Sequence, residues 1–472
     1  MSRPPVRAAL PLAAVALVFA GPAVGDRPLP GTGGALQVIH LVCVSAIAVT
    51  AAWVLAGRLP LGAVTGRRSP GDRASGGRAV GAPLWFGAGL VAAAAVSTLF
   101  AANPLRGAKV TATYAAGLLL LIAVLLVATS PGRLRTLVGT AVVGSLTVTL
   151  PILSQAEQLK PVYGGAVVRN RAQSIFADPN QFGCYAALIV LLAVGWFLAA
   201  PHRWERVLAA LGGAGAAAAL VLSLSRGAWL GTAAGLTVVA LMHPAVRRTL
   251  VAAGAIGATL VAAGVLVSLT APAEVRGGPA AGLVEVVVDR IAVIDDRAAN
   301  PHDVRPITWR EAVRQFTLHP VLGNGPGSFS TLAAESPSVI QFAPRLHAHN
   351  ALLQVGAETG VVGLFFGVGF AGTCGLAALA AARHLRRAAG SAAPTAAGRG
   401  LAGTAGAASA GVEAARQALG LVAGTTGALT AMCVHLMVDY PIRNPVLMIT
   451  AWSVAGLLLA AGRVPANDRV LV

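Results

Sequence analysis

Charge is scarce in this chain. Only 11% of its 472 residues are Asp, Glu, Lys or Arg, against roughly 25% in an ordinary soluble domain. So few charges cannot clothe a water-facing surface, which excludes a soluble globular protein. Lysine is nearly missing: of the 35 basic residues only Lys109 and Lys160 are lysines. With abundant Ala and Gly, that bias reflects a GC-rich genome and carries no mechanism. Cysteine is equally sparse. Cys43, Cys184, Cys374 and Cys433 each lie in or beside an apolar run with no CxxC pair, so neither a disulfide framework nor a zinc site is indicated.

What is present is apolar length. Hydrophobic residues make up 56% of the chain, in continuous runs near the length a helix needs to cross the hydrocarbon core. Continuous rather than alternating runs mean helices, not a barrel. Spans are expected at 8–25, 36–57, 84–102, 110–129, 134–153, 181–200, 205–222, 227–243, 248–270, 350–382, 417–438 and 444–462. The first is read as a membrane helix in preference to a cleaved signal peptide, although Arg3, Arg7 and the Ala23-Val24-Gly25 stretch would suit either. The fold class is therefore an all-α integral membrane protein of about 12 transmembrane helices. It divides into N-terminal helices (1–270), a long extracytoplasmic loop capping the membrane domain (271–348), and C-terminal helices (349–472).

The net charge of +18 does not signal nucleic-acid binding. The basic residues sit in short loops between apolar spans, where they set orientation. With the N-terminus in the cytoplasm, the inside segments carry 20 Lys and Arg and the short outside segments 8. Segments 66–83 and 388–412, rich in Gly, Ala and Ser, fall inside as flexible linkers. The long segment 271–348 differs. Its stretch from Ile307 to His319 reads as an amphipathic helix, opened by Pro306, with Trp309, Ala312, Val313 and Phe316 on one face. Pro320 and the Gly323–Gly327 loop end it.

With this sidedness the polar clusters gather outside: Arg169–Asn180, Ser223–Trp229, Arg305 to the glycine loop, Arg345–Asn350, and a smaller one at Asp439–Arg443. Arg226, flanked closely by apolar spans, has two open readings. It snorkels or is capped by Ser223 and Ser225, or its guanidinium is a fixed fork for an anion such as phosphate. His347 and His349 are structural, or one is a base for a hydroxyl. A metal pair is disfavoured because no Cys or carboxylate completes a ligand set nearby in sequence, with only Glu358 as a distant third. Asp178-Pro-Asn180 is a plausible helix start with Asn180 as cap. The glycine loop could bring backbone amides to an anion.

Four elements in order, R-x-x-S-I-F-A-D-P-N-Q-F-G from Arg171, L-S-L-S-R-G-A-W-L-G around Arg226, R-x-x-x-W-x-x-A from Arg305 with H-P-V-L-G-N-G-P-G-S-F, and H-A-H-N-x-L-L-Q-x-x-x-E-T-G from His347, resemble the O-antigen ligase and O-antigen polymerase superfamily. The resemblance covers about 170 to 460. It implies transfer of a glycan from a polyprenyl diphosphate carrier, usually undecaprenyl diphosphate, to an acceptor hydroxyl of a glycan, lipid or protein. The chemistry would lie on the outer face of the cytoplasmic membrane, without cofactor, nucleotide sugar or metal. It implies catalytic roles for Arg226, for Arg305 (with Arg310 as competitor) and for His349 (with His347 as competitor). Substrate binding is expected of Arg171, Asn180, Trp309, Arg310, His347, Asn350 and Arg443. The extra basic pair Arg169 and Arg171 departs from the pattern, and its loop could hold donor or acceptor. Arginines would stabilise charge as the glycosidic C–O bond breaks, and a histidine would activate the acceptor, with inversion at the anomeric centre. The competing readings are a transporter or lipid-linked glycan flippase, and a polymerase of the shape, elongation, division and sporulation group. The former would carry charge near the bilayer midplane, and the span interiors hold almost none.

Overall fold

The computed structural model describes residue 30 and residues 9–21, 37–59, 78–152, 161–163, 166–169, 171–248 (apart from 177 and 245), 304–336, 347–390 and 402–463. The fold is helical. The helices are α1 (Ala9–Ala20), α2 (Val38–Leu55), α3 (Arg78–Thr98), α4 (Pro104–Val127), α5 (Pro131–Gly144), α6 (Leu146–Thr149), α7 (Pro179–Ala199), α8 (Arg203–Leu222), α9 (Arg226–Met242), α10 (Arg305–Leu318), α11 (Phe329–Glu335), α12 (Ala351–Gly390), α13 (Ala402–Leu436) and α14 (Pro445–Ala461). A small antiparallel hairpin, Pro161–Tyr163 with Ala166–Arg169, lies between α6 and α7; the sequence reading had no strand there.

Among the described residues eight helices are long and apolar enough to cross a membrane. Three shorter apolar helices, α1, α9 and α14, coincide with further expected spans. The expected span at 248–270 falls almost wholly outside the described residues, as do 271–303 and 337–346 of the outer segment. Helix starts follow their local chemistry. Asn103, Ser130, Asp178 and Asn444 each cap the helix that follows, with proline in its first turn, where a missing N–H costs nothing.

Helix α13 is the axis of the packing, in contact with α7, α9, α12 and α14. Small residues set how close it comes. Gly227, Gly231 and Gly235 form an i, i+4 stripe on α9. A methyl group at these positions would lie 2.8 Å from His435 Cδ2, 2.5 Å from the Ala431 carbonyl and 2.6 Å from the Gly427 carbonyl of α13. Gly195 of α7 and Gly424 of α13 abut in the same way. Lipid offers no hydrophobic drive for helix association, so close backbone approach must supply the contact. The α9 stripe runs antiparallel to α13 and so brings the N-terminus of α9 beside the C-terminus of α13.

Four expectations change. The span at 350–382 is part of a 40-residue helix that is broken at Gly360, with φ 64° and ψ −163°. The linker at 388–412 is shorter than its composition suggested, since α12 runs to Gly390 and α13 begins at Ala402; alanine is the best helix former. Likewise α3 begins at Arg78, inside the expected linker 66–83. Helix α10 forms almost where expected but presents a different face. It buries Thr308, Glu311, Ala312 and Gln315, while Trp309 and Val313 are exposed at 37% and 50%. Glu311 explains the rotation: it accepts from Arg314, Gln315 and Ser336, so a polar cluster satisfied on one side outcompetes the aromatic one. Burial pushes the Glu311 carboxyl up, and these bonds overcome that to hold it below its ordinary value.

Candidate active site

One end of the bundle gathers most of the candidate side chains. The α9 N-terminus offers Ser225 as cap, accepting from the Ala228 amide, and Arg226 as first helical residue. The turn from α8 passes through Leu224 at φ 50°, a left-handed conformation that a leucine adopts only under constraint. The α7 N-terminus lies alongside. Its cap is Asp178, not Asn180: Asp178 Oδ1 accepts from the Asn180 amide at 2.7 Å. The Asn180 side chain turns instead to Arg171, whose guanidinium donates 2.5 Å to Asn180 Oδ1 and 2.9 Å to the Ser223 carbonyl. Arg443 pairs with Asp178 Oδ2 at 3.0 Å.

These elements border an open cleft of about 320 Å³. Arg171, Arg226 and Arg305 all line it, together with Asn180, His435 and Asp439. Arg305 reaches it from α10 by donating 3.0 Å to the Val438 carbonyl. Among the described residues that line it, three guanidiniums face one carboxylate, a net positive lining suited to a dianion, and planar forks match phosphate oxygens two at a time.

Asp439 organises the other side. Its Oδ1 lies 2.9 Å from His349 Nδ1 and 3.2 Å from His347 Nε2. Oδ1 also accepts from the Tyr440 amide at 2.7 Å. The two imidazoles sit with centroids 3.9 Å apart. Asp439 is 2% exposed and His347 7%, whereas His349 is half-buried. Burial pushes the Asp439 carboxyl up, but the bonds from the two histidines more than offset this and hold it well below the carboxylate range. His347 is lowered by burial, against the Asp439 bond, with His349 and Arg443 adding to the effect. His349 adopts φ 50°, and the neighbouring Asn350 donates to the Met437 carbonyl at 2.8 Å.

The structure thus brings Arg171, Asn180, Arg226, Arg305, His347, His349 and Asn350 to one end of the bundle. Arg443 flanks them through Asp178. Two expected binding residues are not brought in. Trp309 and Arg310 are exposed on α10, with Arg310 turned back onto the Pro306 carbonyl at 3.3 Å, and neither lines the cleft. Between the two loop arginines the geometry favours Arg305. The glycine loop is corrected too. Its Gly323, Asn324 and Gly325 amides are spent on the carbonyls of His319, Ala357 and Glu358, which leaves no nest for an outside anion.

Two residues received no site role from the sequence, although Asp439 opens the smallest of its polar clusters. Asp439 sits 90 positions beyond His349, and in sequence it is one acidic residue in a short Tyr-Pro turn. His435 lies four before it, one helical turn away, which is the signal that would have found it. Its imidazole is 1% exposed, and Nδ1 has no partner among the described residues. The reason for setting a metal aside also changes. A carboxylate does complete the His347–His349 pair in space, with one ligand atom from each residue all within 4.8 Å of one another.

A multi-span membrane protein with a cationic cleft and a carboxylate-anchored histidine at one end is the class that fold and site define. A family model described as O-antigen ligase matches residues 211–368, from within α8 through Arg226, Arg305 and His349 to just beyond the Gly360 break. The match supports membership of the O-antigen ligase and O-antigen polymerase superfamily, and with it a glycosyltransferase- or ligase-type membrane enzyme of polysaccharide biosynthesis. Arg171, Asn180, His435 and Asp439 lie outside the matched stretch. A search of the curated proteins finds no match.

Proposed function

We propose that the protein transfers a glycan from a polyprenyl diphosphate carrier to an acceptor hydroxyl on the extracytoplasmic face of the cytoplasmic membrane, as a ligase or a polymerase. The observation that carries this reading is the shared cleft of Arg171, Arg226 and Arg305 beside the Asp439–His349 pair. The diphosphate occupies the arginines. Asp439 accepts the His349 Nδ1 proton, so Nε2 keeps its lone pair and takes the proton of the acceptor hydroxyl. The acceptor oxygen then bonds to the anomeric carbon on the face opposite the leaving group. The bond from that carbon to the diphosphate oxygen breaks, and the polyprenyl diphosphate leaves as an anion held by the guanidiniums. Direct displacement inverts the centre. No metal is required, since the arginines already balance the leaving charge.

The test is donor binding and single-turnover transfer by purified protein with a polyprenyl diphosphate glycan. Arg226→Lys keeps the charge but loses the fork, and weakens donor binding and transfer. His349→Ala loses the base, about 10²–10⁴-fold in rate, with donor affinity nearly intact. Abolished donor binding in His349→Ala beside normal behaviour in Arg226→Lys would refute the assignment.

A further inference from the structure

The last buried polar network of the outer segment has no part in the chemistry above. Its centre is Glu358, 4% exposed in α12 two residues before the helix breaks at Gly360. The Gly327 and Phe329 amides bond its carboxylate from the cap. Gln354 Nε2 donates to its Oε1 at 2.7 Å. The other end of Gln354 turns the opposite way, where Oε1 accepts from the Ala348 amide at 2.8 Å. Gln354 is itself 4% exposed and Ala348 fully buried. Ala348, the single residue between the two active-site histidines, is thus hung by its amide from a glutamine whose orientation a buried carboxylate fixes. A carboxylate only accepts, so Glu358 must face the amide NH₂ and leave the carbonyl oxygen for Ala348. The residue after Ala348 is His349, at φ 50°. A histidine holds such a conformation only where its surroundings over-determine it.

We propose that Gln354 is a positioning residue: through the Ala348 amide it holds His349 in its left-handed conformation with Nδ1 on Asp439. The inference rests on the reading of His349 as the base and assigns to the E-T-G element a task that the cleft itself does not reveal. Glu358 sets the glutamine's direction, and the same carboxylate anchors the glycine loop. The cap bearing Arg305 and the segment bearing His349 are therefore referenced to one point.

Two variants test it. Gln354→Met keeps the length and bulk of the side chain but can neither accept from Ala348 nor donate to Glu358. Gln354→Glu keeps the acceptor and can share one proton with Glu358. Gln354→Met should lower kcat at least tenfold while the donor KM stays within about twofold, because the arginine cleft is untouched. Compared with wild type at the same pH, Gln354→Glu should recover most of kcat, and a larger share of it at lower pH, where the paired carboxylates hold a proton. A second readout needs no substrate. Carbethoxylation of His349 by diethyl pyrocarbonate, quantified by peptide mass spectrometry, should be at least threefold faster in Gln354→Met as the ring leaves Asp439. If wild-type protein shows no transfer but His349 reactivity rises in Gln354→Met, the positioning stands and the proposed reaction falls. Unchanged His349 reactivity in Gln354→Met overturns the positioning, as does an equal loss of kcat in both variants. Should Gln354→Met fail to fold, the pH-dependent recovery in Gln354→Glu decides alone, and its absence overturns the proposal.

Discussion

His349 Nδ1 and Asp439 Oδ1 lie 2.9 Å apart at the rim of the arginine cleft. Because an ionised carboxylate has no proton to give, this contact puts the imidazole proton on Nδ1 and fixes the tautomer. The pair comes from two segments 90 residues apart in sequence and is completed by the close approach of α13 to α9.

Asp439→Asn keeps the shape of this contact and removes its charge. An asparagine can donate as well as accept, so the tautomer is no longer imposed. We expect transfer to fall about 10²–10⁴-fold, with donor binding changed little. Single-turnover transfer and equilibrium donor binding measured on the same preparation check this. A loss confined to donor binding would remove Asp439 from the base assembly.

Activity should survive chelation. His347, His349 and Asp439 are near enough for a metal, yet the proposed step uses the same His349 as a base. A ligand whose lone pair is bound to a cation could not take the acceptor's proton. Transfer measured in excess EDTA should match the untreated rate. Loss that a divalent ion restores would reassign the three side chains as a metal centre.

Acid should destabilise the fold. His347 lies below its ordinary value and Asp439 well below the carboxylate range. Both groups therefore bind protons more readily in the unfolded chain. Stability rises with pH in that case and falls on acidification. The histidine contribution starts to go below about pH 6.5, the ordinary imidazole value, and the carboxylate contribution follows at lower pH. The thermal midpoint in detergent should drop between pH 7.5 and 5.5, and His347→Gln should flatten that drop. A midpoint that climbs with acid would contradict both directions.

The sidedness has its own test. The charge count places 338 outside and 391 inside. Replacing Ser338 and, separately, Ser391 with cysteine and labelling intact cells with an impermeant reagent should modify the first only. Labelling at 391 and not at 338 would invert the orientation.

Much of this was legible in the sequence, for reasons that differ by element. The membrane helices show because an apolar run of bilayer length has few other uses. Arg226 and the His347–His349 pair show because charge or imidazole at a span edge is costly without purpose, whereas Arg305 shows only through the resemblance carried by its R-x-x-x-W-x-x-A element. Asp439 does not show: a carboxylate gains meaning only from what faces it, and its partners lie across an Ala- and Gly-rich stretch with no chemistry of its own. The exposed face of α10 was misjudged because Trp309 and Val313 look like core, whereas Glu311 buries itself once Arg314, Gln315 and Ser336 surround it. The glycine loop looked like an anion nest, and its Asn324 and Gly325 amides instead meet the carbonyls exposed where Gly360 breaks α12.

The stripe of Gly227, Gly231 and Gly235 against α13 has a consequence for biogenesis. During synthesis Arg226 of α9 is made long before Asp439, which is translated more than 200 residues later. Until α13 inserts antiparallel and slides its small-residue face onto the waiting glycines, His349 has no carboxylate and the cleft no fourth wall. On the proposed mechanism a partly synthesised chain holds no competent base, and insertion of α13 is the step at which a nascent polypeptide would acquire its reactivity.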